Sequence, residues 1–103
     1  MLLRHATLIR NLPSIQRHGL LCSKSQGRLE AVWLATEGTS CGAALHVAWR
    51  HGARIEAVIT VEVDVPRSWL RRSRKGLCYC TRDVPADRTP RLFGFVELAR
   101  VAG

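Results

Sequence analysis

From Ile55 to Val65 the chain alternates: Ile55, Ala57, Ile59, Val61, Val63 and Val65 fall on one parity, and Glu56, Val58, Thr60, Glu62 and Asp64 on the other. A period of two predicts a β-strand with one buried face and one wetter face, and Pro66 ends it. Leu2 to Thr7 reads as a shorter strand. Leu12 to His18 reads as a two-turn helix, with Pro13 suited to its first turn and Gly19 to the left-handed position just past its end. The polar stretch Ser23 to Arg28 is a loop, and Ala31 to Ala35 a short buried strand. Ser40 is placed to cap a second helix through Ala43 to Trp49, in which Leu45, Ala48 and Trp49 share a face and Gly52 closes the end. Leu77 to Thr81 is a further strand, Val84 to Arg91 a proline-containing loop, and Leu92 to Ala99 a last strand. The order is strand, helix, strand, helix, then three mostly β segments, which places the chain in the α+β class.

Composition narrows the picture. A chain of 103 residues, 47% of them apolar, is the size of one domain with one core. Sixteen Lys and Arg against eight Asp and Glu give a formal charge of +8. Such a balance points to a polyanionic partner, because Lys and Arg that neutralise phosphates release counterions, although the same charge also keeps a protein soluble. Arg4, His5 and Arg10 fall where a secretory signal needs an unbroken apolar stretch, and no run reaches membrane-spanning length, so the expectation is a cytoplasmic protein with no membrane partner.

Basic residues concentrate between Arg67 and Lys75, where Arg67, Arg71, Arg72, Arg74 and Lys75 surround Trp69 and Leu70. The segment has two readings: a solvated helix face, or a track for a nucleic-acid backbone with an aromatic ring to stack a base. Cys78 and Cys80 stand two apart in a strand and project to one face, whereas Cys22 and Cys41 are isolated. Zinc sites take cysteines in two close pairs, so these four read as free thiols and no metal is expected. His18 sits at a helix end, and His46 and His51, five apart, do not share a helix face. A zinc-stabilised ribbon is the reading that metal in the purified protein would support.

The phrase Arg4-His5-Ala6-Thr7, followed by Asn11-Leu12-Pro13-Ser14-Ile15 and Arg17-His18-Gly19-Leu20-Leu21, resembles the opening of DarT-like DNA ADP-ribosyltransferases and of tRNA 2′-phosphotransferases. Val32-Trp33-Leu34-Ala35 resembles their second signature strand. Arg50-His51-Gly52-Ala53 with the strand from Ile55 resembles the helix-to-strand step, and Leu77 to Arg88 the strand and loop that close the site. The resemblance implies a split antiparallel sheet with short helices around a cleft that binds NAD. In it His5 would bond a ribose hydroxyl, the backbone of Ala6 would meet the nicotinamide amide, and Thr7 would support the pocket wall. Trp33 would lie near the nicotinamide ring, and Arg4 and Tyr79 complete the NAD-binding set. Cleaving nicotinamide from ribose passes through an oxocarbenium-like ion, so positioning the sugar and stabilising charge do most of the catalysis.

Two departures shape the expected activity. Leu77 to Asp83 contains no glutamate, and Glu62 and Asp64 lie too early to replace it, while Ala6 stands where the family usually has Gly. The 2′-phosphotransferases dispense with that glutamate, because the RNA phosphate is the nucleophile and arginines orient it through bidentate contacts. Arg4, Arg17, Arg50 and Arg82 are the candidate clamps, with His5, Arg17 and Arg82 as the expected catalytic set. The reading is an NAD-dependent enzyme that transfers ADP-ribose to a nucleic acid, RNA or DNA, or to a phosphate on RNA. Its rival is a non-catalytic nucleic-acid-binding module of the same fold.

Overall fold

A computed structural model describes residues 1–24, 30–89 and 91–94 of the chain. Its elements in order are β1 (Leu2–Leu8), α1 (Leu12–His18), β2 (Val32–Ala35), α2 (Ser40–Arg50), β3 (Val58–Asp64), β4 (Leu70–Arg74), β5 (Leu77–Cys80) and β6 (Arg91–Gly94). The strands form one sheet in the order β4-β5-β2-β1-β3-β6, and every neighbouring pair is antiparallel. The α+β class read from the sequence is therefore what the chain adopts. Of the last expected strand, residues 95–99 lie outside the described residues, as does the loop at 25–29.

Both faces of the central strands are covered, by different elements. Leu3, Val32, Leu34, Ile59, Val61, Val63 and Cys80 join Ile15 of α1, Leu20 and Val84 in the larger core. On the opposite face Leu8 and Val58 meet Ala44 and Ala48 of α2. This explains the one irregularity in the alternation that marked β3. Val58 and Thr60, on the supposedly wetter parity, are buried under α2, and only Glu62 and Asp64 at the far end reach solvent. The strand also starts later than its pattern, because Ile55–Ala57 closes into a 3-10 turn that brings Ile55 against the second cluster.

The helix α2 rotates its stripe relative to the expectation. Ser40, Ala44 and Ala48, spaced by four, form the buried line, whereas Leu45 and Trp49 are 52% and 79% exposed. Small side chains let the helix lie close on the sheet, and that closeness leaves no room for a leucine or an indole. Ser40 is the first helical residue rather than the cap, and its hydroxyl donates to the Glu37 carbonyl at 2.8 Å. The 3-10 turn Glu37–Thr39 delivers the chain into the helix.

After α1, Gly19 has φ 76° and ψ −159°, a region open essentially to glycine alone and different from the left-handed cap expected there. The reason is the neighbouring backbone: a Cβ on Gly19 would run into the main chain of Val84, Pro85 and Ala86. Leu20 and Val84 then exchange both backbone hydrogen bonds at 2.8 Å, which fastens the segment after α1 to the closing loop.

The basic segment is not a helix. Arg67–Trp69 is a 3-10 turn, and Leu70–Arg74 is the edge strand β4, the element missing from the pattern. A two-residue turn at Lys75 and Gly76 joins it to β5. The Gly76 carbonyl accepts the Thr36 N–H at 3.0 Å and the Thr39 hydroxyl at 2.7 Å, so the hairpin tip is tied to the entry of α2.

Candidate functional site

The sheet opens between β1 and β2. β1 pairs with β3 over seven consecutive positions, from Leu2↔Asp64 to Leu8↔Val58, but with β2 only at Arg4↔Ala35. The next residue along β1 is His5. Its Nδ1–H donates to the Trp33 carbonyl at 2.7 Å, so an imidazole takes the place of a ladder bond where the two strands part.

That bond fixes the chemistry of the ring. A carbonyl oxygen only accepts, so Nδ1 carries the proton, and the neutral imidazole keeps a lone pair on Nε2. Burial pushes the His5 pKa below its ordinary value, against the smaller opposing effect of the Trp33 carbonyl. The side chain is thus a neutral ring with an acceptor nitrogen, suited to a hydroxyl donor. Two residues further on, Thr7 accepts the side-chain N–H of Asn11 at 2.9 Å, which ties the end of β1 to the start of α1. Asn11 had one sequence signal, its spacing of four from Thr7.

Alternation and register sort the remaining candidates. Leu3, His5 and Thr7 share the face of the larger core and α1. Arg4 and Ala6 lie on the α2 face, and so do Trp33 and Tyr79, because Ala35 pairs with Arg4 and Tyr79 pairs with Trp33. The Trp33 and Tyr79 rings contact each other at 5.1 Å between centroids, tilted by 45°. The expected NAD-binding set is therefore divided: His5 and Thr7 on one side, Arg4, Ala6, Trp33 and Tyr79 on the other. Only the Trp33 backbone reaches His5.

The four candidate arginine clamps are divided in the same way. Arg4 is 10% exposed, with its guanidinium 3.6 Å from Glu37, beside a cavity of about 90 Å³ lined by Leu2, Leu3, Arg4, Glu37 and Glu62. Arg50 ends α2 on that same side. Arg17 is exposed in the last turn of α1, and α1 packs on the 3-10 turn Ala86–Arg88. Arg82 lies 3.8 Å from the centre of the Trp69 ring, and Arg88 shares that ring at 5.0 Å. Arg88 also donates to the Asp64 carbonyl at 3.1 Å. Arg88 carried no sequence signal, since its partners Trp69 and Asp64 are close only in the folded chain.

A larger, shallow depression of about 650 Å³ is lined by Ala53, Arg54, Glu56 and Ala57, and neither it nor the cavity at Arg4 includes His5, Trp33 or Tyr79. Cys22, Cys41, Cys78 and Cys80 are free thiols. Cys22 is anchored by its N–H, which donates to Asp83 at 2.9 Å; this bond holds the Asp83 carboxyl below its usual range, and Asp83 in turn pushes the Cys22 thiol up. Among the described residues no group of three or more His, Cys, Asp or Glu is arranged to hold a metal, and no helix is long and apolar enough to cross a membrane.

No protein-family model matches the sequence, and no curated protein is significantly similar to it.

Proposed function

We propose that this domain transfers ADP-ribose from NAD to a nucleic acid, with a phosphate on RNA as the favoured acceptor. The observation that carries the reading is His5 at the opening between β1 and β2, a neutral imidazole fixed by the Trp33 carbonyl. It fits the sugar of NAD: the lone pair on Nε2 accepts from a ribose hydroxyl, and the Nδ1 bond keeps the ring from turning away. An antiparallel sheet whose strands β1 and β2 part after one paired position is also compatible with the split sheet that the resemblance of Arg4-His5-Ala6-Thr7 to ADP-ribosyltransferases implies. NAD supplies a ribose whose bond to nicotinamide breaks with the electron pair leaving on the nicotinamide, while an acceptor oxygen bonds to the vacated carbon. His5 orients the sugar, and Thr7 with Asn11 holds the strand end beside it.

The acceptor falls to the arginines. No glutamate stands on β5 to activate a hydroxyl, so a phosphate, already anionic at neutral pH, is the acceptor that needs no general base. Arg82 lies over the Trp69 ring, and a guanidinium held on a ring keeps N–H groups to offer a phosphate. Arg17 borders the same side of the sheet from α1.

The rival reading is a nucleic-acid-binding module without catalysis, and one observation favours it: neither the depression at Ala53 nor the cavity at Arg4 takes in His5. The decisive experiment incubates the protein with NAD labelled in its adenylate and separate pools of RNA, DNA and protein. Label should enter RNA or DNA with the native chain and not with His5→Ala, with the fold checked by circular dichroism. Failure of NAD to raise the melting temperature, together with no label in any pool, would leave the binding module as the function.

A further inference from the structure

The edge strand β4 carries an extra residue, and its position matters. Along β5 the partners run Tyr79↔Arg71, Cys78↔Arg72 and Leu77↔Arg74, so one step on β5 is matched by two on β4 and Ser73 is left as a bulge. In a regular strand, residues three apart point to opposite faces. The bulge cancels that alternation and brings Arg74 to the side of Leu77 and Ala35, which is also the side of Arg71, Tyr79 and Trp33. Arg71, Tyr79 and Trp33 form one row across three strands, and Arg74 heads the next row, roughly 7 Å further along.

Among the described residues this half of the face is only partly covered. Helix α2 lies over β1 and β3, and Trp33 is left 40% exposed beside a half-buried Tyr79. Arg71 and Arg74 meet no carboxylate among the described residues. Protecting the sheet edge from pairing with another chain accounts for charge on β4, but such protection works from either face. A bulge serves the same protection, but protection does not call for both arginines on the face that carries the exposed indole.

We propose that this surface binds a single strand of RNA, one base stacked on Trp33 and braced by the edge of Tyr79, with successive phosphates on Arg71 and Arg74. A flat apolar ring that shares a face with two cations is complementary to a base and its backbone. A duplex keeps its bases inside and cannot offer one to an indole, so the surface selects unpaired RNA. The proposal deepens the reading above, on which its choice of RNA rests: Trp33, whose backbone carbonyl holds His5 on one face, would hold an unpaired stretch of the RNA on the other face, away from the acceptor phosphate on the side of Arg17 and Arg82.

The test is fluorescence anisotropy with a labelled, unstructured 12-nucleotide RNA and a perfectly paired 12-base-pair RNA, without NAD. Leaving NAD out separates this proposal from the catalytic one, since single-strand binding can be present where no label is transferred, and the reverse. Trp33→Ala should weaken single-strand binding by about tenfold or more, the value of one stacked base, while Trp33→Phe, which keeps a ring, should restore most of it. Arg71→Gln with Arg74→Gln should weaken binding well beyond Arg10→Gln with Arg54→Gln, a charge-matched control on other surfaces. Melting temperatures establish that each variant is folded. Equal losses in the two arginine pairs, unchanged binding by Trp33→Ala, or a paired RNA bound as tightly as the single strand would each overturn the proposal.

Discussion

His5 is the residue on which most depends, and its protonation state links the site to stability. The folded protein holds this imidazole neutral because burial disfavours the cation, whereas in the unfolded chain it titrates near 6.5. Below that pH the unfolded state binds more protons than the folded state, so the contribution of His5 is full above 6.5 and is lost as pH falls towards the lowered value. The melting temperature should therefore drop between pH 7 and pH 5, and His5→Gln, which cannot take up the proton, should drop less over the same interval. Parallel curves for the two proteins would show that His5 is not held neutral. The sequence marked His5 through its neighbours Arg4, Ala6 and Thr7 but not its tautomer, which depends on the Trp33 carbonyl 28 residues away. Nor did the sequence show that Trp33 and Tyr79 turn to the other face, because the pairing of Arg4 with Ala35 decides that.

Among the elements, α2 illustrates how a correct helix can be read with the wrong stripe. Leu45 and Trp49 are the largest apolar residues in it, and hydrophobicity alone assigns them to the core. Packing distance assigns it instead to Ser40, Ala44 and Ala48. Filling that close contact should be costly and altering the exposed side should not. Ala48→Leu is expected to destabilise by about 1–3 kcal/mol through overpacking, and Trp49→Gln to stay within about 0.5 kcal/mol. Urea unfolding of both variants measures this, and the reverse ranking would mean that the helix docks through Leu45 and Trp49. β3 was readable because Ile59, Val61 and Val63 keep strict alternation. β4 was not, because Leu70 to Arg74 lies at the sheet edge, pairs among the described residues with β5 alone, and carries three arginines whose facing is set by a bulge that local pattern does not reveal.

At the scale of the whole molecule, the sheet has two unequal halves that meet at one paired position, Arg4↔Ala35. The half built on β1 and β3 is buried on both faces, by α2 on one and on the other by the larger core to which α1 contributes Ile15. The half built on β2, β5 and β4 carries the exposed ring and the dense positive charge. A net charge of +8 says only that polyanions are attracted; the fold decides which cations touch one. On a single strand each neutralised phosphate contributes about 0.7 to the slope of log affinity against log salt. Replacing Arg71 and Arg74 together by Gln should therefore make the salt slope shallower by about 1.4. Arg72, one residue from Arg71 but paired with Cys78 on the opposite face, should leave the slope unchanged when replaced by Gln. Titrations of the 12-nucleotide RNA between low and moderate salt give both slopes. If Arg72→Gln flattens the dependence as much per charge as the Arg71 and Arg74 pair, the attraction belongs to the basic segment as a whole, and the bulge at Ser73 does not select the binding face.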